Sequence, residues 1–256
     1  CLSEPPFPYT MMFLDAPEAR PERRELAVAS DPPLIDCHAH TEFAYCGAGV
    51  TAETVIDRAR TFGLAGVCLT EHAPQLYCSP DDFWAARHVF EPAVWRRGAG
   101  RMAEYRERIG ALRDGFVRVG LEAELDAEGR VTVRDEERQW IDVLAGAVHW
   151  LPATDADDLS DADFAALFMR TCEKLVAGGI DVLAHPFRVF RGYQSRSRPR
   201  PTDLYAPMAD LLADAGVAAE LNFHVNEPDS SFFALCLERG VRIATGTDAH
   251  APWEAG

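Results

Sequence analysis

A chain of 256 residues with 48% hydrophobic and 26% charged side chains has apolar material for one sizeable core, which excludes a disordered segment or a disulfide-stapled miniature. With 25 basic residues against 41 acidic ones, the formal net charge is −16, a field that opposes non-specific binding to nucleic acid or an anionic membrane. The 7 cysteines form no Cys-x-x-Cys pair, so neither a disulfide framework nor a zinc ribbon is indicated and a reducing cytoplasm is the expected location. No apolar run approaches the ~18 residues of a membrane span.

Residues 1–32 are rich in Pro and Glu without a sustained period and read as a leader. The start at Cys1 is expected to be a fragment end and not a processed lipoprotein terminus, because Met11 and Met12 offer ordinary starts just downstream. One domain is expected over 33–256. Its first apolar run, 34–37, leads into His38-Ala39-His40. Thr51 caps a helical pattern over 52–62 that Gly63 closes. The second run, 66–70, ends in Glu71 and His72, and alternation along a strand turns Glu71 away from its neighbour toward a supporting role. A long segment with Trp84, His88 and Trp95 follows Pro74 and has the length of a lid or of a packed excursion.

A helical pattern over 101–112 precedes the third run, 116–121, which ends in Glu122; residues 126–134 then read as a small hairpin. The fourth run, 143–148, ends in His149. After a helical pattern over 161–177 the fifth run, 180–184, ends in His185, and an Arg-rich loop over 188–200 follows. A helical pattern over 203–215 precedes the sixth run, 217–221, followed by Asn222 and His224. The last pattern, 230–238, precedes the seventh run, 241–244, followed by Asp248 and His250. Only 253–256 lie beyond Pro252, so the helix that would close a barrel is expected to be cut off.

Regular alternation of strand and helix implies parallel strands with helical crossovers, in an open doubly wound sheet or a closed barrel. No glycine-rich fingerprint follows the first strand, so dinucleotide binding has no support. Seven of the eight histidines instead stand at strand carboxyl ends, which converge on one face in either architecture. Imidazole and carboxylate together are ligands for Zn, Mn or Fe, and the set exceeds what one ion needs. Two or three ions bridged by a carboxylate would activate water for hydrolysis. Amidohydrolases bridged by a carboxylated lysine are excluded, since the single lysine, Lys174, lies inside a helical pattern. Glu122 is the natural bridge.

The motifs Asp36-Cys37-His38-Ala39-His40-Thr41, Thr70-Glu71-His72-Ala73-Pro74, Gly120-Leu121-Glu122, Gly146-Ala147-Val148-His149 and Gly246-Thr247-Asp248-Ala249-His250, in this order, resemble the polymerase and histidinol phosphatase (PHP) family, in particular its histidinol-phosphate phosphatase branch. The resemblance spans roughly 33–256. It implies an α/β fold, a distorted (β/α)7 TIM-like barrel, with two to three divalent ions (Zn, Mn or Fe) at the strand carboxyl ends. It also implies that His38, His40, Glu122 and Asp248 hold the first ion, with Glu122 bridging to a second held by His149 and His185. His72 and His250 fall to the third, together with Cys46, which stands six residues after His40 where the family's histidinol phosphatases usually carry a His. A thiolate ligand and an inert thiol are both open for Cys46.

By the same resemblance a metal-bridged hydroxide attacks phosphorus in line, with Asp248, His250 and Glu122 as the catalytic set. Arg188 and Arg191 are candidates for the substrate phosphate, although a solvated loop is an equal reading for Arg188 and the better one for Arg196, Arg198 and Arg200. Asn222 and His224 are candidate substrate contacts. The expected protein is thus a phosphatase of a small phosphorylated metabolite, such as histidinol phosphate, with no nucleic-acid or membrane partner and an oligomeric state that the residues leave open. A TatD-like or PHP phosphodiesterase or nuclease is the alternative, though TatD enzymes leave His72 and Asp248-x-His250 without a task; a non-catalytic scaffold or metal-binding module is the other.

Overall fold

The computed structural model describes residues 33–98, 100–192, 195–224 and 228–255; the leader expected over 1–32, with Cys1, Met11 and Met12, lies outside them. The described chain runs β1 (Ile35–Ala39), α1 (Ala52–Thr61), β2 (Gly66–His72), α2 (Ala73–Tyr77), α3 (Pro80–Trp84), α4 (Arg87–Phe90), α5 (Ala93–Arg97), α6 (Met102–Gly110) and β3 (Val117–Ala123). It continues through α7 (Asp135–Arg138), β4 (Val143–Gly146), α8 (Asp161–Ala177), β5 (Val182–Leu183), two 3-10 turns, α9 (Tyr205–Ala215), β6 (Ala218–Asn222), α10 (Ser230–Glu238) and β7 (Ile243–Gly246). The seven strands pair in chain order, all parallel, and close into a barrel. Closure decides between the two architectures that alternation left open.

The barrel is uneven. β2 and β3 pair over six registers, from Val67↔Val117 to His72↔Glu122, whereas β5 has two residues and β7 meets β1 only at Asp36↔Thr245. Asp36 reinforces that seam by accepting hydrogen bonds from Thr247 N at 3.0 Å and Thr247 Oγ1 at 2.6 Å. Strand alternation sends Val117, Val119 and Leu121 outward into the helix-covered core. It sends Gly120 and Glu122 inward. The interior is lined by small side chains, with Val182, Ala218 and Ala244 in one cluster and Ala145, Ala147 and Ala184 in another, which leaves room for polar groups at the upper end.

The helices follow local chemistry. Thr51 accepts a hydrogen bond from Thr54 N at 3.2 Å and Ser160 from Asp163 N at 3.1 Å, satisfying first-turn donors of α1 and α8. Phe164, Phe168, Cys172 and Leu175 form the buried stripe of α8 at helical spacing. The segment after Pro74 is a packed excursion of four short helices, α2 to α5, that buries Leu76, Tyr77, Phe83, Val89 and Trp95. The expected hairpin turns on Asp126, whose Oδ1 accepts from Glu128 N and Arg130 N at 2.9 Å each, with an antiparallel bridge Leu125↔Val131.

The Arg-rich loop differs from a solvated one in two places. Arg188 opens a 3-10 turn and is buried, and Arg198 is buried with NH1 donating to Leu159 O at 3.0 Å and NH2 to Ala156 O at 2.7 Å. Carbonyls left over at a chain reversal drew the guanidinium inward. Cys37, Cys46, Cys68, Cys78, Cys172 and Cys236 are free thiols. Among the described residues no helix is long and apolar enough to cross a membrane.

Candidate metal centre

The carboxyl ends of the strands bring His38, His40, His72, Glu122, His149, His185 and Asp248 to one buried cluster, with the partly exposed His250 at its edge. Glu122 stands at its middle. Its Oε1 lies 2.8 Å from His185 Nε2 and 3.7 Å from His149 Nε2; its Oε2 lies 2.5 Å from His72 Nδ1, 3.7 Å from His38 Nε2 and 3.9 Å from His40 Nε2. Asp248 faces the same space, with Oδ1 2.9 Å from His40 Nε2 and 3.7 Å from His38 Nε2. The two oxygens of Glu122 thus address two different sets of imidazoles, as a bridging carboxylate must.

Each of three imidazoles is turned by a carboxylate behind it. His38 Nδ1 lies 2.8 Å from Glu220 Oε1, His40 Nδ1 3.2 Å from Glu71 Oε1, and His149 Nδ1 2.9 Å from Glu124 Oε1. An ionised carboxylate only accepts, so the Nδ1–H is the donor, and in the neutral ring that a metal ligand requires Nε2 presents a lone pair to the centre. Those lone pairs face carboxylate oxygens, an arrangement of acceptors against acceptors. His38 Nε2 and Glu122 Oε2 are in fact buried without a hydrogen-bond partner, and the close approach of His72 to Glu122 lacks hydrogen-bond geometry. A cation between them resolves the conflict, and the donor set of imidazole and carboxylate suits Zn, Mn or Fe.

The charges point the same way. Burial opposes a charge on His38, yet Glu220, Glu122 and Asp248 hold its pKa well above the ordinary imidazole value. Burial likewise works against the Glu122 carboxylate, but His72, His38 and His149 keep it well below the usual range. Glu124 is brought down to about 2, burial being outweighed by His88 and His149. His185 is the exception: burial, aided by Arg188, pushes it down to about 4, so it is neutral at pH 7. Without added cations, the fold concentrates carboxylates that neighbouring imidazolium and the Arg188 guanidinium must balance.

Backbone strain marks two of these positions. His185 has φ +30° and Asp248 φ +51°, in the left-handed region that costs a non-glycine residue about 1 kcal/mol or more. Both leave a strand end at once, which turns the side chain inward.

The remaining candidates fall around this core. Donor atoms of His38, His40 and Asp248, of His72, Glu122 and His149, and of His40, His72 and His250 come within 4.8 Å of one another. His72 therefore shares a group with Glu122 and His149 as well as with His250, the partner that the resemblance gave it. Cys46 Sγ lies 3.4 Å from His72 Nε2, and burial, which would raise the thiol, is outweighed by His72 and His250, which hold it well below the ordinary thiol range. It is not an isolated thiol. Arg188 is buried with NH1 2.5 Å from Asp248 Oδ2 and NH2 2.5 Å from Asn222 Oδ1; Asn222 Nδ2 in turn donates to Glu220 Oε2 at 3.1 Å and to Asp248 Oδ2 at 3.2 Å. Arg188 and Asn222 thus grip Asp248 from outside the cluster. Arg191 lines the neighbouring cavity with Arg188, Arg200 and Asp229, and the His224 ring lies 4.8 Å from that of His250. A cleft walled by Phe83, Trp84 and Trp150 opens onto Cys46, His72, His149 and His250.

Sequence reasoning missed Glu124 and Glu220 and left His88 unassigned. Signals were present: Glu124 follows Glu122 by two residues and so shares its face, and Glu220 interrupts an apolar run. Glu71 does what alternation suggested, since its Oε2 also accepts from Thr41 N at 3.1 Å and Thr41 Oγ1 at 2.8 Å while Oε1 holds His40.

Comparison with known proteins gives an independent measure. The sequence model of the PHP domain matches residues 36–224. A curated relative from Deinococcus radiodurans, named "Probable histidinol-phosphatase", is 28% identical over 251 residues, covering 87% of this chain and 88% of its own. Among solved structures, histidinol phosphate phosphatase from Lactococcus lactis, complexed with Zn, L-histidinol and phosphate, aligns with a TM-score of 0.62 at 18% identity over 86% of this chain and 87% of that one. The hisK product of Listeria monocytogenes aligns at 0.61 and 15% identity, over 87% of this chain and 97% of that one. At these identities the structural likeness is one of fold.

Proposed function

The chain belongs to the PHP-domain family, and from that premise we propose that it is a metal-dependent phosphoesterase acting on a small phosphomonoester, with histidinol phosphate the leading candidate. One observation carries the reading: Glu122 lies among five imidazoles with its two oxygens divided between them. The name of the Deinococcus radiodurans relative supports the substrate, and the zinc, histidinol and phosphate named for the Lactococcus lactis structure support the chemistry by fold.

In this reading His38, His40, Glu122 and Asp248 hold one ion, Glu122, His149 and His185 a second, and Cys46, His72 and His250 a third. Ions so held supply Lewis acidity toward phosphoryl oxygens and acidify water into a nucleophile at neutral pH. The chain's own groups do the rest. Glu220, Glu71 and Glu124 fix the tautomers of His38, His40 and His149. Asp248, clamped by Arg188 and Asn222, keeps its carboxylate ionised against burial. Arg188 lines the cleft and the cavity beside it, and with Arg191 adds positive charge where an anionic ester would enter. His224, the most exposed imidazole of the group, stands beside His250 with 4.8 Å between ring centroids and would contact the substrate at the mouth of the centre.

The test is direct. Purified protein is expected to carry two to three transition-metal ions and to hydrolyse p-nitrophenyl phosphate, with activity lost in Glu122→Ala. Metal-free, inactive protein after reconstitution with Mn or Zn refutes the proposal. Histidinol phosphate, nucleoside monophosphates and a bis-phosphodiester compared in one assay separate the phosphatase from the phosphodiesterase reading.

A further inference from the structure

We propose that His88 is a positioning residue of the centre: acting through Glu124, it fixes the imidazole of His149 in the orientation that binds metal. The inference rests on the reading of His149 as a ligand. His88 is the one histidine that does not follow a strand, and it is fully buried. Its Nε2 lies 2.9 Å from Glu124 Oε2, while the other oxygen of Glu124 lies 2.9 Å from His149 Nδ1. Glu124 is itself anchored, its N–H donating to Thr132 Oγ1 at 3.0 Å. The carboxylate is therefore held between two imidazoles, and neither oxygen is free to rotate away.

The protonation pattern follows from the chemistry of the acceptor. Glu124 accepts at both oxygens, so His88 donates its Nε2–H, while its Nδ1 is buried without a hydrogen-bond partner. An apolar side chain of similar size would avoid desolvating that nitrogen. What His88 contributes is thus the single N–H toward Glu124. Its ring is held in place by Phe83, stacked at 5.1 Å and 13°, and by Trp150, edge-on at 5.3 Å and 81°. Both rings wall the cleft. The arrangement runs from the cleft wall through His88 and Glu124 to His149, whose Nε2 faces Glu122 Oε1 at 3.7 Å.

The test titrates metal-free protein with Zn(II) against a chromophoric chelator and records the thermal midpoint of the metal-free form alongside. His88→Leu is expected to weaken the binding of one ion by about 10-fold, the low end of what losing a partner behind a ligand costs, because Glu124 itself remains. His88→Gln, whose amide can donate to Glu124, is expected to restore most of that affinity. Superimposable titrations of parent and His88→Leu overturn the proposal, as do equal losses in His88→Leu and His88→Gln, which indicate packing alone. Should His88→Leu not fold, His88→Met is compared with His88→Gln, and equal affinities there overturn it. A parent protein that binds no ion removes the metal-centre reading itself, an outcome distinct from the others.

Discussion

Gly246 stands where β7 passes behind His38 and Glu220, and the space it leaves is what lets those two meet. A Cβ there would overlap Glu220 Oε1 and lie 2.8 Å from the Cβ of His38, so the 2.8 Å bond between His38 and Glu220 depends on the missing side chain. Gly246→Ala is expected to lower stability by about 1–3 kcal/mol through overpacking and to reduce the number of ions bound, because His38 would no longer hold its Nε2 toward Glu122. Urea unfolding and metal counting check this; a variant as stable as the parent with full metal content would show that β7 yields instead. The same scale explains a feature the sequence conceals. His185 and Asp248 carry positive φ, and nothing in residue type announces strain at a histidine or an aspartate. It follows from turning a side chain into the barrel directly after a strand ends.

At the scale of elements, the excursion from α2 to α5 acts as a fixed wall. Phe83 is 3% exposed and packs with His88, Trp84 and Trp150 at centroid distances of 5.1 to 5.4 Å. Phe83→Ala is therefore expected to cost about 3–5 kcal/mol of stability, measured by urea unfolding of the metal-free protein. A mobile lid would give the opposite result, a changed KM with stability within 1 kcal/mol of the parent. Strand ends were legible in sequence because short apolar runs stop at a charged or imidazole residue, and a parallel architecture sends all such ends to one face. The short helices of the wall were not legible. Helices of four or five residues hold too few turns for a period to register, and Pro74 and Pro80 each stand at a first turn, where a missing N–H costs nothing. Glu124 and Glu220 escaped for another reason. A single carboxylate near an apolar run says that a partner exists, while the identity of that partner, His149 or His38, depends on barrel closure.

For the molecule as a whole, the net charge of −16 continues inward: Glu71, Glu122, Glu124, Glu220 and Asp248 are all buried around the imidazoles, with Arg188 beside them. Burying that many carboxylates is unfavourable unless cations compensate. The proposed ions therefore stabilise the fold in addition to serving chemistry. An ion that binds the folded chain alone, present at about 100 times its Kd, adds about 2.7 kcal/mol, which for a domain of this size corresponds to about 5–10 °C in Tm. Chelation should lower Tm by that amount, and restoring Zn(II) or Mn(II) should recover it. The sign with pH follows from proton competition: ligand imidazoles must be neutral at the metal-facing nitrogen, so the difference between metal-loaded and metal-free protein should shrink as pH falls, beginning above the ordinary imidazole range because, against burial, His38 and His72 are held well above it by the surrounding carboxylates. Glu122→Gln supplies the control, since removing the bridging charge should remove most of the metal-dependent shift while the apolar core that sets the metal-free Tm stays in place. A Tm indifferent to chelator in the parent protein would mean that neighbouring imidazolium and Arg188 already balance the buried carboxylates.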